Sequence, residues 1–199
     1  MLRSLTLSLV LTLCLAPLAV QAAKLNDADF RLKKGKHDAS GEGFRAHLPK
    51  IGKHHDRRVS FQVQFDANTA YTTSNPGDQS DCNKVMGISI VRIHEDSIRL
   101  GWAFDPKTNK MQLSFYGYYN GNRMIQPMLQ VPLGQWVPVE IKLNDQGMSV
   151  RAGAQYVEKK VDLGWKGLTT STILRTAYFG GEETAPHDMD VRVKDISAD

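Results

Sequence analysis

From residue 58 onward the chain alternates between hydrophobic and polar positions. In Arg58-Val59-Ser60-Phe61-Gln62-Val63-Gln64-Phe65, the side chains of Val59, Phe61, Val63 and Phe65 fall on one face of an extended chain, the period of a half-buried strand. The polar stretch 66–83 follows. It contains Asn75-Pro76-Gly77-Asp78 and reads as a long loop. Beyond it the spacing predicts strands at 84–93, 97–104, 110–119, 124–131, 136–144, 147–152, 155–163, 173–180 and 188–196. Turn residues separate them, at Asp105-Pro106, Asn120-Gly121-Asn122, Pro132-Leu133-Gly134, Asp145-Gln146-Gly147 and Gly180-Gly181. Asn120-Gly121 between two strand-like runs predicts a tight hairpin. No segment carries the apolar stripe and caps of an amphipathic helix. Strands in this number must stack or close to hide their edges, so the pattern predicts an all-β fold, a two-sheet antiparallel sandwich. Roughly ten strands, without a disulfide pair between the sheets, favour a jelly roll over an immunoglobulin-like sandwich.

The alternation does not reach the first part of the chain. Residues 24–58 hold ten Lys/Arg, five acids and four histidines with little apolar periodicity. Residues 24–57 therefore read as a basic N-terminal segment of a single domain spanning 24–199. Met1–Ala23 has Arg3, an apolar run from Leu5 to Leu15, Pro17 and then Val20-Gln21-Ala22. That is the pattern of a cleaved signal peptide, and it predicts a periplasmic or secreted protein. Leu13 precedes Cys14 where a lipid-anchored protein wants a small residue. No second apolar run is long enough for a membrane span. Without the leader Cys82 stands alone, so no intramolecular disulfide is expected. Its thiol is free, buried or paired with another chain.

Composition narrows the function classes. The 199 residues carry 25 Lys+Arg against 21 Asp+Glu, a net charge of +4, and the leader contributes only Arg3 to it. Hydrophobic content of 41% and charged content of 23% exclude a disordered or collagen-like chain. The basic balance suits an acidic partner, but it is too dilute to indicate nucleic acid. Two basic runs, Lys33-Lys34-Gly35-Lys36-His37 and Lys53-His54-His55-Asp56-Arg57-Arg58, read as solvated faces able to hold an anionic glycan or a phosphate-rich envelope surface. His54 and His55 are adjacent and point to opposite faces, which argues against zinc. Calcium needs several clustered oxygens; Asp78/Asp81 and Glu182/Glu183 could contribute some, but nothing else in the sequence supports such a site. No phosphate loop, dinucleotide fingerprint or Gly-x-Ser-x-Gly appears, and no cofactor or metal is expected. Paired carboxylates at glycosidase spacing are absent, and the adjacent Glu95 and Asp96 diverge.

The densest polar cluster lies on the central strands: Lys84, Arg92, His94, Ser97, Arg99, Tyr116 and Tyr118. If Ile98, Leu100 and Phe115 face the core, then Ser97, Arg99, Tyr116 and Tyr118 face out together. The downstream pattern resembles concanavalin A-like lectin and glucanase domains. It has a turn and Trp136 opening an alternating strand, the hairpin Asp145–Val150, then Ala177-Tyr178-Phe179-Gly180-Gly181 before a closing strand. Within that fold, Lys84 before an apolar-Gly run, Ser97-x-Arg99 and Tyr116-x-Tyr118 resemble, in order, the cleft residues of jelly-roll polysaccharide lyases of the alginate and glucuronan lyase type.

The resemblance implies an anionic, uronic acid polysaccharide as partner, cleaved by β-elimination. Arg99 and Lys84 would neutralise the C6 carboxylate. Tyr116 or Tyr118 would serve as acid or base if nearby cations depress the phenol, and His94 is a second candidate base. Ser97 and Arg92 would position the sugar. The sequence leaves open a non-catalytic lectin-like module, or an envelope protein binding a partner through a sheet edge, and it does not indicate the oligomeric state.

Overall fold

The computed structural model describes residues 23–24, 27–40, 57–90, 92–144, 146–163 and 171–199. The signal-peptide reading, apart from Ala23, and Lys53–Asp56 of the second basic run lie outside the described residues.

The strands are β1 (Ala23–Lys24), β2 (Ala28–Leu32), β3 (Ala39–Ser40), β4 (Arg57–Phe65), β5 (Asn83–Ile90), β6 (Asp96–Asp105), β7 (Lys110–Tyr119), β8 (Asn122–Pro132), β9 (Val137–Asn144), β10 (Gly147–Ala152), β11 (Gln155–Lys160), β12 (Ser171–Tyr178) and β13 (Met189–Ala198). Among the described residues they form two antiparallel sheets. The larger runs β11-β10-β9-β4-β13-β2-β3, with β1 also paired to β13, and the smaller runs β12-β5-β6-β7-β8. This is the all-β jelly-roll sandwich that the alternation predicts. From β4 onward the strand positions agree with the alternation to within a few residues.

The alternation sets the layers. In β4 the buried positions are Arg57, Val59, Phe61, Val63 and Phe65, with polar residues between them. The inner face of the smaller sheet supplies Ile88, Ile98, Leu100, Trp102, Leu113 and Phe115. Trp102 packs against Phe65 of the opposite sheet with ring centroids 5.3 Å apart. The Asn120-Gly121 turn is a two-residue hairpin with φ of 49° and 77°, the positive values a primed turn requires.

The N-terminal segment departs from expectation. It holds β2 and β3, and β2 pairs along its length with β13. Three inward residues, Ala28, Phe30 and Leu32, are enough to anchor it, while Asp29 and Arg31 face solvent. Arg31 Nε donates to Asp190 of β13 at 2.7 Å. A strand this short, with charges at every other position, has too few apolar residues to stand out from a basic run.

Loop 66–82 contains two short 3-10 segments, Ala67–Thr69 and Pro76–Ser80. Thr72, Thr73, Pro76, Gln79 and Ser80 lie beside the outer face of the smaller sheet, while Tyr71 turns into the core against Trp102. The Glu183 carboxylate accepts the backbone N–H groups of Ser74 at 2.9 Å and Asn75 at 2.6 Å. Asn83 Nδ2 donates to the Tyr71 hydroxyl at 3.0 Å. No helix among the described residues is long and apolar enough to cross a membrane.

Candidate functional site

The outer face of the smaller sheet carries a cleft of about 740 Å³. Strand register assembles its floor. Arg99 of β6 lies opposite Tyr116 of β7, and Tyr116 lies opposite Ile125 of β8. Tyr118 lies opposite Arg123, and Lys84 of β5 lies opposite Tyr178 of β12. Four carboxylates, Asp38, Asp78, Asp81 and Glu182, line the same cleft from the loops around this floor, and His94 stands at its rim.

The floor is tightly coupled. Lys84 Nζ sits 4.9 Å from the Tyr116 ring centroid and 5.0 Å from that of Tyr178. The Arg99 guanidinium sits 5.0 Å from the Tyr116 centroid, a second cation–π contact. The Tyr116 hydroxyl donates to the Tyr118 hydroxyl at 3.3 Å, and His94 meets the Tyr118 ring edge-on at 5.3 Å.

Arg99 is the unusual member. It is 4% exposed, yet its Nε and Nη2 have no hydrogen-bond partner among the described residues. These two nitrogens share one edge of the guanidinium, the edge that grips a carboxylate through two parallel bonds. Buried donors are almost always satisfied, so an orphaned pair at the floor of an open cleft points to an acceptor supplied from outside.

Burial sets the protonation states. It pulls Lys84 down from the usual 10.5 to about 8, with the nearby Arg99 charge adding to the effect. Burial, then Arg99 and Lys84, hold His94 below its usual value, which leaves the imidazole neutral at pH 7. Tyr116 moves the opposite way from the sequence-based expectation. Burial, then its hydrogen bond with Tyr118, raise it above 10.0, and the opposing pull of Arg99 is smaller. Tyr116 therefore stays a protonated phenol at neutral pH and is not the base.

Two glycines make room for the cations. A Cβ on Gly87 would lie 2.5 Å from Arg99 Cγ and press on the Ile98 carbonyl. One on Gly180 would lie 2.7 Å from Lys84 Nζ and press on the Cys82 carbonyl. Replacing Gly87 with alanine is expected to displace Arg99 and cost about 1–3 kcal/mol of stability, because the crowding includes backbone that cannot swing away. Urea denaturation measures the cost. An unchanged midpoint would show that the strand absorbs the methyl group without strain.

Of the residues singled out from the sequence, Lys84, His94, Arg99, Tyr116 and Tyr118 line this one cleft. Ser97 and Arg92 do not. Ser97 shares the strand parity of Arg99, but it is fully buried and its hydroxyl donates to the Ile93 carbonyl at 2.6 Å. The turn before β6 thus covers it. Arg92 is exposed and pairs with Glu95 at 3.1 Å. The sequence reading missed Arg123 and Tyr178. Tyr178 belongs to a distant strand, and only the β12–β5 pairing brings it beside Lys84. Cys82 is free and half-buried in the cleft, where burial pushes its thiol up to about 11 and so keeps it protonated. No group of three or more His, Cys, Asp or Glu suited to a metal ion occurs among the described residues.

Comparison with known proteins supports the fold. No family model matches the sequence, and no curated protein matches it. Among solved structures, an alginate lyase from Pseudomonas aeruginosa superposes with a TM-score of 0.54 at 9% identity, over 87% of this chain and 97% of that one. The alginate lyase AlyC3 gives 0.58 at 11% identity, over 87% and 74%. An alginate lyase from a Chlorella virus gives 0.55 at 10% identity, over 89% and 88%. The chain accordingly has the jelly-roll sandwich fold of these alginate lyases, at sequence identities that carry the fold alone.

Proposed function

We propose that the chain binds a uronic acid polysaccharide in this cleft and cleaves it by β-elimination. The observation that carries the reading is the buried, unpartnered Nε/Nη2 edge of Arg99 at the cleft floor. A C6 carboxylate supplies the two acceptors that edge lacks. Fold neighbours have been solved with matching ligands: AlyC3 with dimannuronate, and a family 7 alginate lyase variant with substrate.

The steps balance with the groups present. Arg99, assisted by Lys84, neutralises the carboxylate and so acidifies C5–H. Neutral His94 takes the C5 proton. The electron pair forms the C4=C5 double bond as the C4–O4 bond breaks. Tyr118, whose oxygen already accepts from Tyr116, directs its own proton to the departing O4, and the proton that His94 took is returned to the Tyr118 oxygen through solvent once the product leaves. An exported protein, as the leader predicts, would meet such polymers outside the cytoplasm.

The test is the ultraviolet absorbance of unsaturated uronate released from alginate and glucuronan, run beside polymer binding. Product release by the wild type, with binding retained and product lost in Tyr118→Phe, is the expected result. Binding by the wild type with no product would overturn cleavage and leave a non-catalytic carbohydrate-binding module. Absence of binding would overturn the whole reading.

The pH dependence has a definite sign. Lys84 is charged below about pH 8, and a bound carboxylate favours that charged form. Polymer affinity is expected to weaken as pH rises through 8, and to do so less in Lys84→Met. Retention on an immobilised polymer across pH 6–10 measures it, and parallel curves for the two proteins would exclude Lys84 from the contact.

A further inference from the structure

A second cavity, of about 720 Å³, adjoins the first on the same face. The two share Ser80, Cys82 and Ile125, so they are halves of one groove running along the strands. Both have the size of ligand clefts, roughly 300–1,000 Å³. Their chemistry differs. The first half has Lys84, Arg99 and Arg123 on its floor and edge, with Asp38, Asp78, Asp81 and Glu182 on the loops around them, and the open edge of Arg99 marks its uronate position. The second has, among the described residues, one cation, Lys107, set against one carboxylate, Asp105.

Beside the hydroxyls of Thr72, Ser80 and Ser114, the second half presents side-chain acceptors in fixed orientations. Gln112 donates its amide N–H to the carbonyls of Leu113 at 2.7 Å and Leu129 at 3.2 Å. Gln130 donates its own to the Asp105 carboxylate at 3.0 Å. These partners can only accept, so each amide nitrogen must face them, and each amide oxygen is left for a ligand. Asp105 adds a third acceptor. The floor between is small: Ala103, Ser114 and Gly101, where a Cβ would meet the Cys82 sulfur at 2.5 Å. At the junction Ile125 is 45% exposed, an apolar platform for a sugar ring.

A sugar hydroxyl can donate to such acceptors, whereas a carboxylate can only accept and would meet Asp105, whose charge Lys107 balances with none to spare. We infer that the polysaccharide places an uncharged, hydroxyl-bearing sugar in this second half while Arg99 holds its uronate neighbour. The preferred polymer therefore intersperses uronate with uncharged residues and is not a homopolyuronate. This inference rests on the reading of the first half as a uronate site.

The experiment is calorimetric titration of the full chain with four tetrasaccharides. Two are homopolymers, tetramannuronate and tetraglucuronate. Two alternate glucuronate with an N-acetylhexosamine, from hyaluronan and from unsulfated chondroitin. The expected result is that at least one alternating tetramer binds about tenfold or more tighter than both homopolymers. Gln112→Lys, checked for folding by its melting temperature, should narrow that gap by tightening the homopolymers. Homopolymers that bind as tightly as both alternating tetramers, or a Gln112→Lys protein with an unchanged ratio, would overturn the inference. The uronate reading is tested separately by Arg99→Ala. If that variant loses all four ligands while the homopolymers tie or win in the wild type, the uronate site stands and the uncharged subsite falls. If Arg99→Ala binds all four as the wild type does, or nothing binds to either protein, both fall.

Discussion

Replacing Arg99 with methionine is expected to lower affinity for a uronate oligomer at least roughly thirtyfold while leaving the melting temperature unchanged or higher. Truncating one partner of a buried, hydrogen-bonded charge pair costs about 2–5 kcal/mol of binding, which sets the fold-change. The stability effect has the opposite sign because the Nε/Nη2 edge of Arg99 has no partner among the described residues to orphan. Burying a cation carries a desolvation cost that a methionine of similar length avoids, and even whole buried ion pairs are often replaced by apolar residues at no cost or with a gain of about 1–4 kcal/mol. The loss of the cation–π contact with Tyr116, worth about 2 kcal/mol at a desolvated site, offsets part of that gain. Titration and thermal melting of the same sample would therefore move apart. A fall in both together would show that Arg99 holds the sheet and not a ligand.

Trp102→Ala is expected to destabilise the fold by about 3–5 kcal/mol, a large share of the stability of an ordinary domain. Trp102 is fully buried, and its ring contacts Phe65 at 5.3 Å and Tyr71 and Phe179 at 6.4 Å each. It therefore ties the smaller sheet both to the opposite sheet and to loop 66–82, and its removal leaves a void that three aromatic rings cannot close together. The indole N–H has no hydrogen-bond partner among the described residues. Trp102→Phe thus removes an unsatisfied donor along with some packing and should cost less, under about 2 kcal/mol. Urea midpoints for the two variants check both values. A mild Trp102→Ala would mean that the sheets collapse onto the void.

The fold was legible wherever one face of a strand is buried and the other is not. Val59, Phe61, Val63 and Phe65 announce β4 because Ser60, Gln62 and Gln64 between them face outward. Asn120-Gly121 marks its hairpin by backbone chemistry alone. β2 was not legible, since three inward residues among charges look like a solvated run. The same parity placed Arg99 and Tyr116 on the outer face, and their shared cleft follows from adjacent strands. Parity failed at Ser97, whose face is right but whose hydroxyl is taken by a turn that a period-two argument does not see. It was silent on Tyr178, whose place beside Lys84 depends on pairing between strands far apart in the chain. The rise in Tyr116 was equally hidden, because it depends on how deeply the ring sinks beside Arg99.

The position of β13 bears on how the molecule assembles. It lies in the middle of the larger sheet, between β4 and β2, with Val191 opposite both Phe65 and Phe30. Both partners lie more than a hundred residues upstream, so this sheet cannot zip up from neighbouring hairpins in the way that β5 through β8 can. Folding must wait on a long loop closure, and the rate should be that of a slow, high-contact-order β protein. Until β13 arrives, β4 presents an open edge and an uncovered row of Val and Phe side chains. That interval, and not the finished sandwich, is where the chain is most exposed to aggregation.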